Sequence, residues 1–190
     1  MLVMYNLVMF NTYDYNIDLV ARPFDNLKYR DRTVLVVCKD SAGRFLLGAS
    51  KQYPEGIVRL MGGGVDKEEE LLHAAVREVK EETNIDITPE ELIELAQVRI
   101  AGNFQGQTYN HTVNLYFLNS QKDDLIAGDD VSDIVSYTEE EYNDLISNFK
   151  NLKPDHLSSE DGDGYSWGDF GKVYAFVHQV ALDEIFQRNL

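Results

Sequence analysis

The segment GGGVDKEEELLHAAVREVKEETNID, residues 62–86, joins a run of glycines to a long acidic stretch. Residues 66–83 contain no Gly or Pro, and their pattern predicts a helix with Asp66 as N-cap and Glu69 completing a capping box. One stripe of this helix is apolar and consists of Leu71, Leu72, Ala75, Val76 and Val79. We therefore expect the helix to pack against the rest of the domain along that stripe.

Three acidic side chains of this helix are spaced to converge. Glu81 and Glu82 follow Glu78 by three and four residues, which places the three carboxylates on one helix face. Carboxylates this close repel one another unless a cation neutralises them, and their oxygens suit the hard ions Mg²⁺ and Mn²⁺. The spacing favours a metal site for phosphate chemistry. A solvated acidic face with Glu–Lys pairs is the alternative.

The whole segment resembles the Nudix box, G-x5-E-x7-R-E-U-x-E-E-x-G-U, where U is a bulky aliphatic residue. In the family, Gly stands at the position of Asn84. Asn is the next most tolerant residue for a left-handed helix end, so we expect the loop–helix–loop geometry to be kept. A match in register at so many positions favours the resemblance over chance. The matching residues are Gly63, Glu69, Arg77, Glu78, Val79, Glu81, Glu82 and Ile85.

The resemblance implies a Nudix hydrolase that cleaves a diphosphate linkage in a nucleoside diphosphate joined to another moiety. It implies a metal site with Mg²⁺ as cofactor and Mn²⁺ as the alternative, held by Gly63, Glu78, Glu81 and Glu82. One of these glutamates, or one elsewhere, would act as general base, and we choose Glu78. Arg77 and Glu69 would orient the other catalytic groups through ion pairs. The catalytic set implied is Glu69, Arg77, Glu78 and Glu81.

The surrounding pattern indicates an α/β fold, and the resemblance implies a Nudix-type α/β/α sandwich with a mixed β-sheet. Residues 33–39 and 44–49 read as a hairpin around a turn at 40–43. Further strands are predicted at 57–61 and 111–118, and helices at 139–149 and 172–188.

The chain divides into three parts in this interpretation. Residues 1–29 form an N-terminal extension packed on the domain, residues 30–149 form the Nudix hydrolase domain, and residues 150–190 form a loop and a C-terminal helix packed on the same domain. The terminal loop and helix are candidates to shape a pocket or a homodimer contact.

The charge balance constrains the partners. With 17 basic and 33 acidic side chains, the formal net charge is −16. Such a chain is a poor binder of nucleic acid, whose affinity depends on basic residues that neutralise phosphates. We expect a small nucleotide or nucleotide conjugate as the substrate, with a cation between protein and phosphate. A merely solvated surface explains the acidic surplus equally well.

The cellular setting is inferred from cysteine and apolar content. Cys38 is the single cysteine and lies in an apolar run, which predicts a buried thiol and excludes an intrachain disulfide. The first ten residues lack the basic region and cleavage site of a signal peptide. No apolar segment approaches the roughly 20 residues that cross a bilayer. We expect a cytoplasmic protein without a membrane partner.

Weaker candidates lie outside the box. Asp129, Asp130 and Asp133 suit either an added metal carboxylate or a polar loop. Residues 161–164, DGDG, hint at calcium but lack the full loop pattern. Tyr165, Trp167 and Phe170 suit either stacking on a base or loop packing.

Two other classes of function remain open. The first is a catalytically silent Nudix domain that binds a nucleotide or a protein. The second is an acidic interaction module without a ligand, which predicts no stabilisation by metal.

Overall fold

The structure is a computed structural model that describes residues 11–159 and 164–190. The prediction drawn from the first ten residues, and the calcium hint at 161–163, lie outside the described residues. Helices of the described chain are α1 (Asp25–Tyr29), α2 (Leu71–Thr83), α3 (Glu139–Lys150) and α4 (Trp167–Arg188), with a 3-10 turn at Pro89–Glu91. Strands are β1 (Asn11–Asp18), β2 (Arg32–Lys39), β3 (Phe45–Ala49), β4 (Val58–Arg59), β5 (Leu92–Phe104), β6 (Gln107–Leu118) and β7 (Asp133–Tyr137).

The strands form one mixed sheet. Its order is β1-β5-β6-β2-β3-β4, and β7 pairs with β3. The pairs β1–β5 and β2–β6 are parallel, whereas the other strand pairs are antiparallel. The predicted mixed sheet is confirmed, and so is the hairpin, which β2 and β3 form. The strand predicted at 57–61 shrinks to two residues plus a bridge between Val36 and Met61, because the glycine run begins directly afterwards.

The central strand β2 shows how the sheet is covered on both faces. Leu35 and Val37 belong to a large core shared with α3 and α4, whereas Val34, Val36 and Cys38 belong to a smaller core under α2. Alternate side chains of a strand point to opposite faces, so an unbroken apolar run signals burial on both sides. The predicted α/β/α sandwich and the buried thiol of Cys38 are confirmed.

Helix α2 begins at Leu71 with Glu70 as its N-cap, four residues later than the capping-box pattern predicts. Glu68 has a φ of 68°, which interrupts any helix at that point. The Asp66 backbone N–H does donate to Glu69 Oε2 at 2.9 Å, so half of the predicted box forms as a turn before the helix. The predicted N-cap at Asp66 is therefore wrong. The helix ends at Asn84, whose φ is 58° and whose N–H donates to the Lys80 carbonyl.

The apolar stripe of α2 is also shifted from the predicted one. Leu72 is 39% exposed, and Ala74 is buried in its place beside Ala75 and Val79. Glu78 and Glu82 share this buried face. Small alanines let α2 approach β2 closely, which leaves the two carboxylates at the edge of the core.

Both ends of the described chain lie against the sheet. Strand β1 extends the sheet beyond β5, and α4 packs on α3 and β5. Helix α4 begins at Trp167 instead of the predicted 172, because the Ser166 side chain caps it by accepting from the Asp169 N–H. No helix in residues 11–159 or 164–190 has the length and hydrophobicity needed to cross a bilayer.

Candidate active site

Each glycine of the run leaves room for a different neighbour. Gly62 has a φ of 129°, and a Cβ there would overlap the Val34 carbonyl oxygen. A Cβ at Gly63 would lie 2.6 Å from a Glu78 carboxylate oxygen. A Cβ at Gly64 would overlap the guanidinium of Arg30. The run therefore lets β2, α2 and the segment before β2 meet at one place.

Arg77 holds three carboxylates of the motif in one arrangement. Its Nε and Nη2 donate to the two oxygens of Glu69, both at 2.9 Å. Its Nη1 donates to Glu78 at 2.7 Å and to Glu81 at 3.0 Å. Nη2 also donates to the Gly64 carbonyl at 3.0 Å. A planar guanidinium with five donors suits such a fork, and the many hydrogen bonds restrict how these side chains can turn.

Glu82 is the most buried carboxylate of the site, with 2% of its surface exposed. It accepts from the Gly62 N–H at 2.6 Å and lies 3.5 Å from an Arg59 guanidinium nitrogen. Burial raises the pKa of Glu82 to about 7, although the Arg59 charge and the Gly62 hydrogen bond act in the opposite direction. Its negative charge is therefore incompletely compensated by the protein.

Glu78 and Glu81 differ in their surroundings. Burial raises the pKa of Glu78 despite its ion pair with Arg77. The Glu81 side chain is 46% exposed and lines the pocket. Two carboxylates thus sit at the base of the site and a third is accessible to solvent.

The motif forms one wall of a pocket of about 380 Å³. Asp129 and Asp130 also line it, and Asp130 lies 3.7 Å from Arg59, whereas Asp133 lies on β7 opposite Ala49. All six site residues predicted from the sequence come together here: Gly63, Glu69, Arg77, Glu78, Glu81 and Glu82. Glu69 contacts the others through Arg77 and does not line the pocket.

Several residues that line the pocket are not predicted by any motif in the sequence. Arg59 is a single cation in an apolar run just before the glycines, which was the one usable hint. Arg30 and Asn26 come from the segment before β2, and Tyr53 comes from the loop after β3. Nothing in their local sequence predicts that they meet the box.

The three aromatic candidates, Tyr165, Trp167 and Phe170, differ in whether they line the pocket or only pack against neighbouring side chains. Trp167 is 5% exposed and packs edge-on against Tyr165 and Phe170, which fits the loop-packing alternative. Tyr165 and Phe170 also line the pocket, with Phe24, Tyr53 and Tyr174. One part of the pocket wall is therefore aromatic.

The donor set of the acidic wall suits a hard divalent cation. It consists of three carboxylates and the Gly63 carbonyl, which accepts from the Val34 N–H at 3.0 Å and keeps a second lone pair. Within residues 11–159 and 164–190, no three acidic, His or Cys side chains already converge in a metal-binding cluster. Arg77 instead bridges Glu78 and Glu81. The residues fit the ion chemically, and the Gly63 position supplies space beside Glu78 that a Cβ would fill.

A mixed sheet between helices, with an acidic helix behind a glycine run, defines an α/β/α domain with an acidic pocket beside the glycines. The family model described as NUDIX domain matches residues 29–159. The chain therefore belongs to the Nudix family of hydrolases, as the sequence resemblance predicted, and this family generally uses divalent metals.

Several solved structures are similar to this chain. A MutT/nudix family protein from Enterococcus faecalis is 23% identical over 60% of this chain and 46% of its own, so this chain spans less than half of that protein, with a TM-score of 0.46. An Ap4A hydrolase from C. elegans is 22% identical over 84% and 99%, with a TM-score of 0.49. A mutator MutT protein from Bacillus halodurans is 17% identical over 60% and 72%, with a TM-score of 0.50. The likeness to the Bacillus halodurans protein, at 17% identity and a TM-score of 0.50, shows the fold alone. No curated protein sequence matches the chain.

Proposed function

We propose that this chain is a metal-dependent hydrolase that cleaves a diphosphate linkage in a nucleoside diphosphate joined to another moiety. One observation carries the proposal. Glu78 and Glu82 are buried at the base of the pocket, and burial raises both of their pKa values although each lies beside an arginine. A protein tolerates such carboxylates where an additional cation completes the charge balance.

The ligands proposed for the cation are Glu78, Glu81, Glu82 and the Gly63 carbonyl, with Mg²⁺ preferred and Mn²⁺ as the alternative. When bound, the ion would neutralise phosphate charge and lower the pKa of a nearby water. Asp129 or Asp130 is available as a further carboxylate, since both line the pocket.

The remaining chemistry falls to the side chains. A water attacks phosphorus, the bridging P–O bond breaks, and the oxygen of the departing phosphate keeps the bonding electron pair. Glu78 takes the proton from the water as general base. Arg77 fixes Glu78 and Glu81 through its fork, and Glu69 holds Arg77 from the far side with two hydrogen bonds. Arg59 and the Gly62 N–H orient Glu82.

The rest of the pocket supports a nucleotide as the substrate. Partly exposed Tyr165 and Tyr53 supply flat apolar surface, and the amides of Asn26 and Gln52 supply hydrogen-bonding groups. The high negative charge argues against nucleic acid as a partner. A cytoplasmic setting is consistent with a single, fully buried cysteine. A homodimer stays a prediction.

The proposal is tested by measuring phosphate and pyrophosphate release from nucleoside triphosphates, sugar nucleotides and dinucleotides with Mg²⁺. Glu78→Gln and a chelator control run beside the wild type. Turnover that needs the ion and falls by roughly 10²-fold or more in Glu78→Gln supports the hydrolase. Nucleotide binding without turnover of any compound in the panel would replace it with the catalytically silent binding domain.

A further inference from the structure

Among residues 11–159 and 164–190, three arginines line the pocket, and one of them differs from the other two. Arg77 pairs with three glutamates, and Arg59 lies within 4 Å of Glu82 and Asp130. In the part of the chain that the structure describes, the Arg30 guanidinium pairs with no carboxylate. Arg30 is therefore the pocket cation whose hydrogen-bonding capacity is left for another anion.

Backbone hydrogen bonds anchor the main chain of Arg30, and its exposed side chain lies against Gly64. The Arg30 N–H donates to the Asn26 carbonyl at 3.1 Å, which closes α1. Its carbonyl lies 2.8 Å from Nδ1 of the buried His111, and because a carbonyl can only accept, that nitrogen carries the proton. The guanidinium lies over Gly64, in the space that a Cβ would occupy.

Arg30 lies in a pocket rich in carboxylates, yet its guanidinium forms no ion pair with them in the described part of the chain. Besides the three proposed metal-ligand glutamates, the pocket is lined by Asp25, Asp66, Asp129 and Asp130, so carboxylates outnumber arginines. A guanidinium amid so many acids would be expected to pair with one of them, yet Arg30 is turned toward the glycine run instead. A guanidinium fork matches two oxygens of a phosphate, and it does so better than the point charge of a lysine.

We propose that Arg30 binds non-bridging oxygens of the substrate's diphosphate, and that Gly64 is the residue that gives its guanidinium room to do so. This inference rests on the proposed function, because it assumes a diphosphate in the pocket. It assigns a role to a residue outside the acidic motif and explains the third glycine of the run. Arg30 is a substrate-binding residue, and Gly64 is a positioning residue that acts through it.

The first test measures binding without turnover. Methylenediphosphonate, a diphosphate analogue with an unreactive P–C–P link, is titrated calorimetrically into the protein with Mg²⁺. Loss of a charge-assisted contact predicts that Arg30→Ala weakens binding roughly 10- to 100-fold, with Arg30→Lys in between. The matched control is Lys28→Ala, which removes the same charge two residues away from a side chain that does not line the pocket. It should change the Kd less than about twofold, because exposed charges are screened.

The second test is a double-mutant cycle between Arg30 and Gly64. Gly64→Ala should weaken analogue binding in the wild type, because the new methyl group displaces the flexible end of Arg30 while the fold tolerates it. In the Arg30→Ala background the same change should have little further effect, since the displaced group is already gone. Circular dichroism checks that each variant folds.

The outcomes separate the two ideas. Equal binding by wild type and Arg30→Ala overturns the role of Arg30, and additive effects overturn the role of Gly64. A wild type that binds no analogue overturns the inference together with the diphosphate substrate. Analogue binding that depends on Arg30, with no hydrolysis of any nucleotide in the panel, supports the inference and overturns only the proposed catalysis.

Discussion

Helices α2 and α4 each bury a glutamate almost completely, and the two carboxylates are treated very differently. Glu184 of α4 is 1% exposed and accepts from Asn11, Tyr13 and twice from Arg188, at 2.7 to 2.9 Å. Glu82 of α2 is 2% exposed, and its partners within the described part of the chain are one N–H at 2.6 Å and one guanidinium nitrogen at 3.5 Å. Protein donors therefore satisfy the carboxylate of Glu184 with four hydrogen bonds, whereas Glu82 accepts one among the described residues.

The pKa shifts express the same difference. Burial alone would raise the pKa of Glu184, but its hydrogen bonds outweigh burial and lower the pKa below the usual range. For Glu82 burial prevails, and the pKa rises to about 7. A buried carboxylate that the fold fully satisfies holds elements together, here β1 against α4. One that the fold leaves unsatisfied beside a pocket is the better candidate for binding a cation.

The largest predicted effect is the loss of kcat when the charge of Glu82 is removed, compared with removal of the charge of Glu184. Glu82→Gln should lower kcat by roughly 10²- to 10⁴-fold while the protein stays folded, because a proposed metal ligand is lost. Glu184→Gln should leave kcat within about threefold but cost roughly 1–3 kcal/mol of stability, since an amide cannot accept from all the donors around it. Steady-state kinetics and urea unfolding of both variants measure the two effects.

The two variants control for each other. If Glu184→Gln lost activity to the same extent as Glu82→Gln at a temperature where both are folded, the distinction between the two helices would fail. Near-normal turnover in Glu82→Gln would remove Glu82 from the proposed ligand set.

A second prediction concerns thermal stability with and without metal. Binding to the folded state alone should stabilise the wild type by about 2.7 kcal/mol when Mg²⁺ is present at 100 times its Kd. Most of this gain should vanish in Glu82→Gln and persist in Glu184→Gln, as measured by thermal melts in Mg²⁺ and in chelator. A wild type indifferent to Mg²⁺ and Mn²⁺ would favour the acidic interaction module.

The contrast between the helices also shows what the sequence could predict. The spacing of the box was sufficient to place Glu78, Glu81 and Glu82 on one helix face, because i+3 and i+4 neighbours meet on any helix. The start of α2 differs from the predicted one, because the positive φ of Glu68 interrupts the helix there and no residue pattern indicates it. The local sequence therefore predicts which side chains form the acidic wall of the pocket, but it does not predict where α2 begins.

Contacts between distant segments could not be predicted. Arg59 and Arg30 reach the site only because β4 and the end of α1 are brought beside α2 by sheet pairing and loop geometry. The saturation of Glu184 likewise depends on Asn11 and Tyr13, more than 170 positions away in the chain, as the separations of 173 and 171 show. The residues around a glutamate in a helix therefore do not indicate whether the fold will satisfy its carboxylate, as for Glu184, or leave it unsatisfied, as for Glu82.

The last prediction adds a third buried group to the comparison. His178 of α4 is fully buried, and in the described residues neither ring nitrogen has a hydrogen-bond partner. It packs against the rings of Tyr142 and Phe149 on α3, at centroid distances of 5.5 and 4.9 Å. Burial, with a minor contribution from the Arg59 charge, lowers its pKa from 6.5 to about 3.

The sign of the pH effect follows from linkage. Between pH 3 and pH 6.5, His178 is protonated in the unfolded chain and neutral in the folded protein. Stability contributed by the neutral ring is therefore complete above pH 6.5 and declines as the pH falls, by about 1.4 kcal/mol for each unit. Urea unfolding of wild type and His178→Leu at several pH values should differ in slope by one proton in this window. Tyr142→Phe disturbs the same packing without an acid titration and should keep the wild-type slope. A slope shared by wild type and His178→Leu would mean that the ring is protonated in the folded state, and α4 would then contain a buried charge as poorly satisfied as that of Glu82.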